Sequence, residues 1–157
     1  MANLTRARVS VGLTRYADVV SPSLRVEKLI TFTGAANLGA VGAVPLFTVT
    51  GAVCIDRILA VCEVLLASAG GGTLALGVTG ATTLFIAATT ATDIDADELW
   101  VSNAPDANGI ALPAALQNIL IHQNIIGTVA TAAITAGAIR LVVLYTPISE
   151  DGEVVAA

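Results

Sequence analysis

Residues Ala138 to Pro147, AIRLVVLYTP, alternate so regularly that they decide the fold class. Successive side chains of an extended strand point to opposite faces, so alternate residues share a face. The side chains on one face are all apolar: Ile139, Leu141, Val143 and Tyr145. Those on the other face are mixed: Arg140, Val142, Leu144 and Thr146. The stretch therefore predicts a β-strand with one fully apolar face.

The preceding residues read as a second strand, from about Ile125 to Ala130, followed by a turn region. Gly137 closes that turn, and a glycine there permits a positive φ angle. Two apolar strands joined by a short glycine-containing segment are typical of a β-hairpin. We therefore expect these two strands to pair with each other.

Further short runs rich in Val, Ile, Leu and Thr alternate with Gly, Asn, Pro and Asp, which indicates many short strands. The long run at 52–67 also fits helical spacing, but its neighbours are β and we predict a strand. One helical turn is expected at 113–118. Seven or eight strands in about 120 residues are typical of two packed antiparallel sheets. The fold class predicted is all-β: a single β-sandwich or jelly-roll-like domain at 25–148, with an extended N-terminal arm at 1–24 and a C-terminal tail at 149–157.

The composition is unusually apolar, with 55 % hydrophobic and 12 % charged residues. So little polar material predicts subunits that cover part of their surface with one another. A net charge of −5 argues against nucleic acid as a partner, because phosphate contacts need clustered Lys and Arg. The leading part of the chain is basic, because five of the seven basic residues lie in the first 28 positions: Arg6, Arg8, Arg15, Arg25 and Lys28.

Two uncharged stretches, Leu29–Ile55 and Val64–Thr92, are each longer than the roughly 20 residues that cross a bilayer as a helix. Both contain several glycines and scattered threonines, and Pro45 interrupts the first. Membrane-spanning helices are usually richer in Leu, Ile and Phe. A small membrane protein is therefore kept as the least favoured hypothesis.

The stretch TDIDADELW, Thr92 to Trp100, places Asp at alternate positions, as a calcium loop does. The sixth position of such a loop should be Gly and the twelfth Glu, but this chain has Glu98 and Ala104 there. The acids are better explained as turn residues that bond backbone amides, with Trp100 entering the core after them. A looser carboxylate site for a cation is left as an alternative, and no metal or cofactor is expected.

Neither cysteine nor histidine stands in a recognisable catalytic pattern. Cys54 and Cys62 are eight residues apart, which matches no zinc or redox spacing and predicts two buried thiols on one face of a strand. His122 is the single histidine, and a lone histidine in QNILIHQN is more often a surface or satisfied polar side chain than a ligand. These features predict a protein that is not an enzyme.

Three segments together are similar to a group of small structural proteins of tailed bacteriophages. They are ITFTGAANLGAVGAVPLFTVTGAV, TTATDIDADELWVSNAPDA and TVATAAITAGAIRLVVLYTPISEDGEVV, which span residues 30 to 155 without the arm. The resemblance implies a head decoration, or cement, protein: a β-rich subunit, often trimeric, that sits on the outer capsid surface of the virion and braces neighbouring capsomers. The partners implied are further copies of the chain and the major capsid protein.

In that setting, the arm would dock on acidic capsid surface through its arginines. The capsid-binding residues expected are Arg6, Arg8, Arg15 and Arg25. The same kinship leaves a second function open, that of another virion component such as a head fibre base or a tail protein.

Overall fold

The computed structural model describes residues 23–157, and its longest-range pairing runs through the stretch that decided the fold class. This stretch is β8, Ala136–Pro147, which lies between β1, Leu24–Thr31, and β3, Val53–Ala67. Its predicted apolar face is buried throughout: Ile139, Leu141, Val143 and Tyr145. Both the strand predicted here and the strand predicted at 52–67 are confirmed.

Nine strands and two short 3₁₀ helices make up the described chain. The remaining strands are β2 Gly42–Thr50, β4 Thr73–Val78, β5 Ala81–Thr90, β6 Gln117–Ile121, β7 Ile125–Ala130 and β9 Glu153–Ala156. The 3₁₀ helices span Ala91–Asp93 and Ala114–Leu116, and the second confirms the helical turn expected at 113–118.

The strands form two antiparallel sheets, which confirms the predicted β-sandwich. The four-stranded sheet has the order β1-β8-β3-β6, and the five-stranded sheet has the order β5-β4-β7-β2-β9. The first strand pairs with the eighth, the second with the seventh, the third with the sixth and the fourth with the fifth. This nested pairing is the jelly-roll arrangement, to which β9 adds one edge strand.

The hairpin expected between β7 and β8 is wrong, because these strands belong to different sheets. The connection at 131–135 crosses from one sheet to the other. Ile134 N donates a 2.8 Å hydrogen bond to Gly39 O, and Thr135 N donates one of 2.8 Å to Ala67 O. Both strands bury their apolar faces in the same core from opposite sides, so their patterns resemble those of a hairpin.

The end of the chain belongs to the sandwich. Residues 149–157 were expected to form a tail, but they contain β9, which pairs with β2 from Thr50↔Glu153 to Phe47↔Ala156. Val154 is buried by this pairing. At the other end, β1 begins at Leu24, one residue before the expected domain boundary at 25.

The core fills the space between the sheets with aliphatic and aromatic side chains. The largest of those that are fully buried include Trp100, Phe47, Ile55, Ile58, Leu66 and Leu76. Trp100 donates a 3.0 Å hydrogen bond from Nε1 to Thr89 Oγ1 in the interior. A buried indole N–H without an acceptor would be costly, so this bond allows the ring to enter the core.

A β-bulge in β3 separates the two cysteines. The pairing with β8 shifts between Ile55 and Arg57, so one extra residue, Asp56, reverses which face the following side chains occupy. Cys62 is therefore buried, whereas Cys54 lies on the outer face and is half-buried, and the expectation of two buried thiols on one face is wrong. Burial raises the pKa of Cys62 to about 11.

Both uncharged stretches fold largely as strands of the sandwich: β2 in the first, β4 and β5 in the second. Among residues 23–157, no helix has the length and the apolar character needed to cross a bilayer.

Candidate interaction surface

The acidic stretch Thr92–Trp100 lies along the edge of β3 that β6 leaves open. Backbone hydrogen bonds attach it there: Asp97 N to Cys62 O at 2.8 Å, Cys62 N to Glu98 O at 2.9 Å and Trp100 N to Ala60 O at 3.0 Å. Trp100 enters the core after the acids, as predicted. The stretch thus protects an open strand edge, which would otherwise be free to pair with another chain.

The acidic side chains of this stretch do not gather around a common point, and Glu98 instead accepts a hydrogen bond from the local backbone. Asp97 has a φ of 67°, and Asp95 N donates a 2.9 Å hydrogen bond to Glu98 Oε2. Across the described part of the chain, no three His, Cys, Asp or Glu side chains lie close enough together to hold a metal ion. Asp93 and Asp95 are exposed.

The outward face of the four-stranded sheet is the most unusual surface of the molecule. Rows of paired residues cross β1, β8 and β3 on this face: Arg25, Leu144 and Arg57; then Glu27, Val142 and Leu59; then Leu29, Arg140 and Val61. Leu99 extends the last row through its bridge to Val61. We call the apolar members of these rows the outer patch: Leu29, Leu59, Val61, Leu99, Val142 and Leu144.

The outer patch is open to solvent in residues 23–157. Leu29 is 44 % exposed, Leu59 38 % and Val61 36 %, and the other three are half-buried. Rows about 6.8 Å apart on strands about 4.8 Å apart give the whole face, with its charged members, an area on the order of 300–400 Å². The outer patch fills part of this area, and the largest apolar patch of a monomer is often a functional contact site.

Ion pairs frame one side of the outer patch. Arg140 Nε donates a 2.5 Å hydrogen bond to Glu63 Oε1, and its Nη1 lies 3.8 Å from Glu27 Oε1. Arg25 Nη2 is 2.6 Å from Glu27 Oε2. The hydrogen bond from Arg140 to Glu63 raises the pKa of Arg140, with the charge of Glu63 as the next cause. These charges therefore neutralise one another within the face.

Arg57 differs from the other basic residues of this face. It makes no ion pair with any carboxylate of residues 23–157, and its neighbour across the ladder is Leu144. The adjacent Asp56 is already engaged, since Oδ2 accepts hydrogen bonds from Ser23 at 2.5 Å and from Thr146 at 2.8 Å. Arg57 is exposed. It is thus a cation that projects from an apolar face without a partner in the described chain.

The outward face of the five-stranded sheet has no frame of ion pairs among residues 23–157, and its large apolar side chains, Ile126 and Val155, lie in separate rows. Its long strands β2, β4, β5 and β7 contain no charged residue. Beside the half-buried Ile126, the residues at its centre are small: Ala43 and Pro45 are exposed, Thr128 is half-buried and Ala75 is buried. The two faces of the sandwich therefore differ in both side-chain size and charge.

Of the four residues expected to bind the capsid, three lie outside the described residues: Arg6, Arg8 and Arg15. Arg25 is on the outward face of β1, in the first row beside the outer patch. The structure therefore brings Arg25 next to Glu27 and Leu144, and the role of the arm stays a prediction.

Sequence reasoning missed the outer patch, although it had part of the signal. Val142 and Leu144 were assigned to the second face of β8, which is half apolar. The run at 52–67 is apolar on both faces, which in an outer sheet means that one face is left uncovered. Neither pattern shows which strands are neighbours, and only the nested pairing joins these residues into one surface.

The outer patch, with Arg57 beside it and the acidic stretch at its edge, is the surface from which a function is argued. Comparison of the chain with protein-family models, with curated protein sequences and with solved structures finds no match. The resemblance to small phage structural proteins therefore stays an expectation from the sequence segments quoted above.

Proposed function

We propose that this chain is a head decoration protein of a tailed bacteriophage. It binds the outer surface of the capsid as a homotrimer, with the major capsid protein as its partner, and strengthens the contacts between capsomers. Its role is mechanical, without catalysis or a cofactor.

The outer patch is the observation that carries the proposal. A chain that works alone has little reason to present Leu59 and Val61 to water beside the half-buried Val142. The inward faces of both sheets already provide a complete core, so the outer patch is surplus to folding. Surplus apolar area of this kind favours a protein that works in contact with others.

The architecture suits a load-bearing part. Every strand is hydrogen-bonded into one of two sheets, and the acidic stretch is bonded along an edge of β3. No Asp, Glu, Lys, Arg or His side chain is buried among residues 23–157, and the buried Thr89 accepts the hydrogen bond of Trp100. The titratable side chains of the interior are Cys62 and Tyr145. Active sites usually gather several perturbed titratable groups, so this interior favours a structural role.

The arm suits attachment to a second protein. It brings Arg6, Arg8 and Arg15 to the end of the chain that leads into β1. Guanidinium groups bind carboxylates through paired hydrogen bonds, so an acidic capsid surface is the partner that this arm fits. A sandwich that holds one capsomer while its arms hold the next gains strength, because linked contacts multiply through effective concentration.

Binding to capsids tests the proposal. Purified protein is mixed with expanded heads of the same virus that lack decoration, and the heads are then pelleted. We expect saturable binding at a fixed number of copies per head, and greater resistance of the heads to heat. Heads that already carry their decoration serve as the control. A chain that stays in the supernatant with undecorated heads would contradict the proposal.

Imaging of decorated heads separates this function from that of another virion component. Density for the chain on the outer capsid, between capsomers, is the expected result. Density confined to a head fibre base or to the tail would transfer the chain to that part of the virion.

A further inference from the structure

We infer that the outer patch is the contact between copies of this chain, with Arg57 of one copy placed against the acidic stretch, Thr92–Trp100, of the next. This inference deepens the proposed function and rests on it for the expectation that the chain works as an oligomer. It assigns the surface, the partner and the charge pair.

The apolar part of the argument is the continuity of the outer patch. Leu59 lies at its centre, with Val142 across the ladder, and the rows on either side supply Leu144 and Val61. A second surface laid on this face would remove these side chains from water, at about 25 cal/mol for each Å² of apolar area covered. Sheets pack face to face in this way about 10 Å apart.

The charged part of the argument is that the two ends of this face differ in sign. Arg57 stands at one end without a carboxylate partner in the described chain. The acidic stretch borders the other end, where Leu99 bridges Val61. Arg57 and Val61 are four residues apart on one strand, or about 13 Å. The exposed Asp95 and Asp97 stand in this stretch with no cation within ion-pair distance among residues 23–157.

These charges identify the occupant as a second copy. A uniformly acidic partner would satisfy Arg57 and be repelled by Asp95 and Asp97, and a uniformly basic one would have the reverse fault. The matching surface needs an apolar centre with a cation at one end and carboxylates at the other. Another copy of this face, turned so that its ends are exchanged, has that arrangement at the same spacing.

Such a contact is compatible with the trimer of the proposed function. If the outer patch of one copy meets the acidic edge of the next by the same rotation each time, a rotation of one third of a turn closes the contacts into a trimer. Two copies laid face to face with their ends exchanged are related by a two-fold axis, and they pair the same charges in a dimer. The trimer and the dimer both place Arg57 beside carboxylates of the neighbouring copy. The measured mass of the oligomer tells the two arrangements apart.

Charge reversal in the full-length chain tests the inference without any capsid. The variants are Arg57→Glu, Asp95→Arg and the two combined, with Thr48→Glu on the five-stranded sheet as the matched control. Thr48 is exposed and pairs with Val155 on that sheet. Mass is measured by light scattering and sedimentation equilibrium, and melting by circular dichroism shows that each variant is folded.

We expect wild type and Thr48→Glu to be oligomers of equal mass. Each single reversal should raise the dissociation constant at least about tenfold, and the double reversal should restore most of the affinity because the pair is re-formed with its signs exchanged. A monomeric wild type, or an oligomer that both single reversals leave unchanged, would overturn the inference.

Failure of the inference can be told apart from failure of the proposed function. A monomer that still pellets with undecorated heads would overturn the contact between copies and the homotrimer, and would leave capsid binding intact. An oligomer that dissociates on reversal but never binds heads would overturn the decoration function and leave the contact intact.

Discussion

The two sheets of this sandwich bury similar inner faces but present different outer faces to water. The four-stranded sheet shows Leu29, Leu59 and Val61 outwards and frames them with ion pairs, and all the basic residues of the described chain lie on its strands. The five-stranded sheet shows Ala43 and Thr48 outwards, with Val155 43 % exposed and Ile126 half-buried, and has Glu153 as its one charged strand residue.

This difference separates what folds the molecule from what it contacts. Large apolar side chains occur on both outer faces, since Val155 is 43 % exposed on the five-stranded sheet, but only on the four-stranded sheet do they fill adjacent rows among residues 23–157. That sheet also carries Arg57, which makes no ion pair within the described chain. The proposed contact between copies would account for the outer patch, and the five-stranded sheet, whose large apolar side chains are scattered, is the face to compare with it.

The largest effect should come from comparing the two faces of one strand. Ile58 is fully buried on the inner face of β3, and Leu59 beside it is 38 % exposed in the outer patch. Ile58→Ala should lower the free energy of unfolding by about 2–5 kcal/mol, because a cavity is left in the core. Leu59→Ala should lower it by less than about 1 kcal/mol.

Urea unfolding of both variants, at concentrations where the chain is monomeric, measures these values. Equal losses at the two positions would show that the outer patch belongs to the folding core, which would break the comparison between the two outer faces.

The next effect concerns the thiols that the bulge of β3 places on opposite faces. Cys62 is buried, and its burial raises the pKa from 9.0 to about 11, so about a hundredfold less thiolate is present at a given pH below 9. The pKa of Cys54 is also raised, first by partial burial and then by the charge of Asp56, but its sulfur lies on the half-open outer face. Iodoacetamide at pH 8 should therefore modify Cys54 well before Cys62.

Mass spectrometry of the labelled peptides checks this order, with unfolded protein in urea as the control in which both thiols react. Faster labelling of Cys62 in the folded chain would place the bulge elsewhere in β3 and would change which residues form the outer patch.

These thiols also show how far the sequence can predict this fold. Alternation at Ile139–Tyr145 predicts β8 because a half-buried strand leaves a direct mark on its own residues. A bulge leaves no such mark in the sequence, so the prediction that Cys54 and Cys62 lie on the same face of β3 was wrong. Pairing of β8 with β1 and with β3, which are distant in sequence, depends on the whole chain, and the outer patch exists only through these pairings.

A smaller effect on stability is expected from a substitution at Gly127, on the inner face of the five-stranded sheet. Gly127 in β7 faces a small void lined by Leu46, Leu74 and Trp100. An added Cβ would meet Leu74 Cδ1 at 3.5 Å and Leu46 Cδ1 at 3.6 Å, which are ordinary contacts. Gly127→Ala should stabilise the fold by about 0.4–1 kcal/mol, because the unfolded chain loses freedom and the void is partly filled.

Gly39→Ala is the contrasting variant for the same urea measurement. Its φ is 114°, and a Cβ there would lie 2.1 Å from Ile134 O, so this substitution should destabilise the fold. A loss of stability in Gly127→Ala would mean that the centre of the five-stranded sheet is already fully packed.

The smallest effect on folding should come from the ion pair between Arg140 and Glu63, although it is the shortest in the charged frame. Both side chains are more than a third exposed, so water and salt screen their attraction. Glu63→Gln should lower the melting temperature by less than Leu59→Ala does, and 1 M salt should remove the difference from wild type. If Glu63→Gln instead proved as destabilising as a core substitution, the frame would be part of the fold, and the four-stranded face would need no partner to explain its charges.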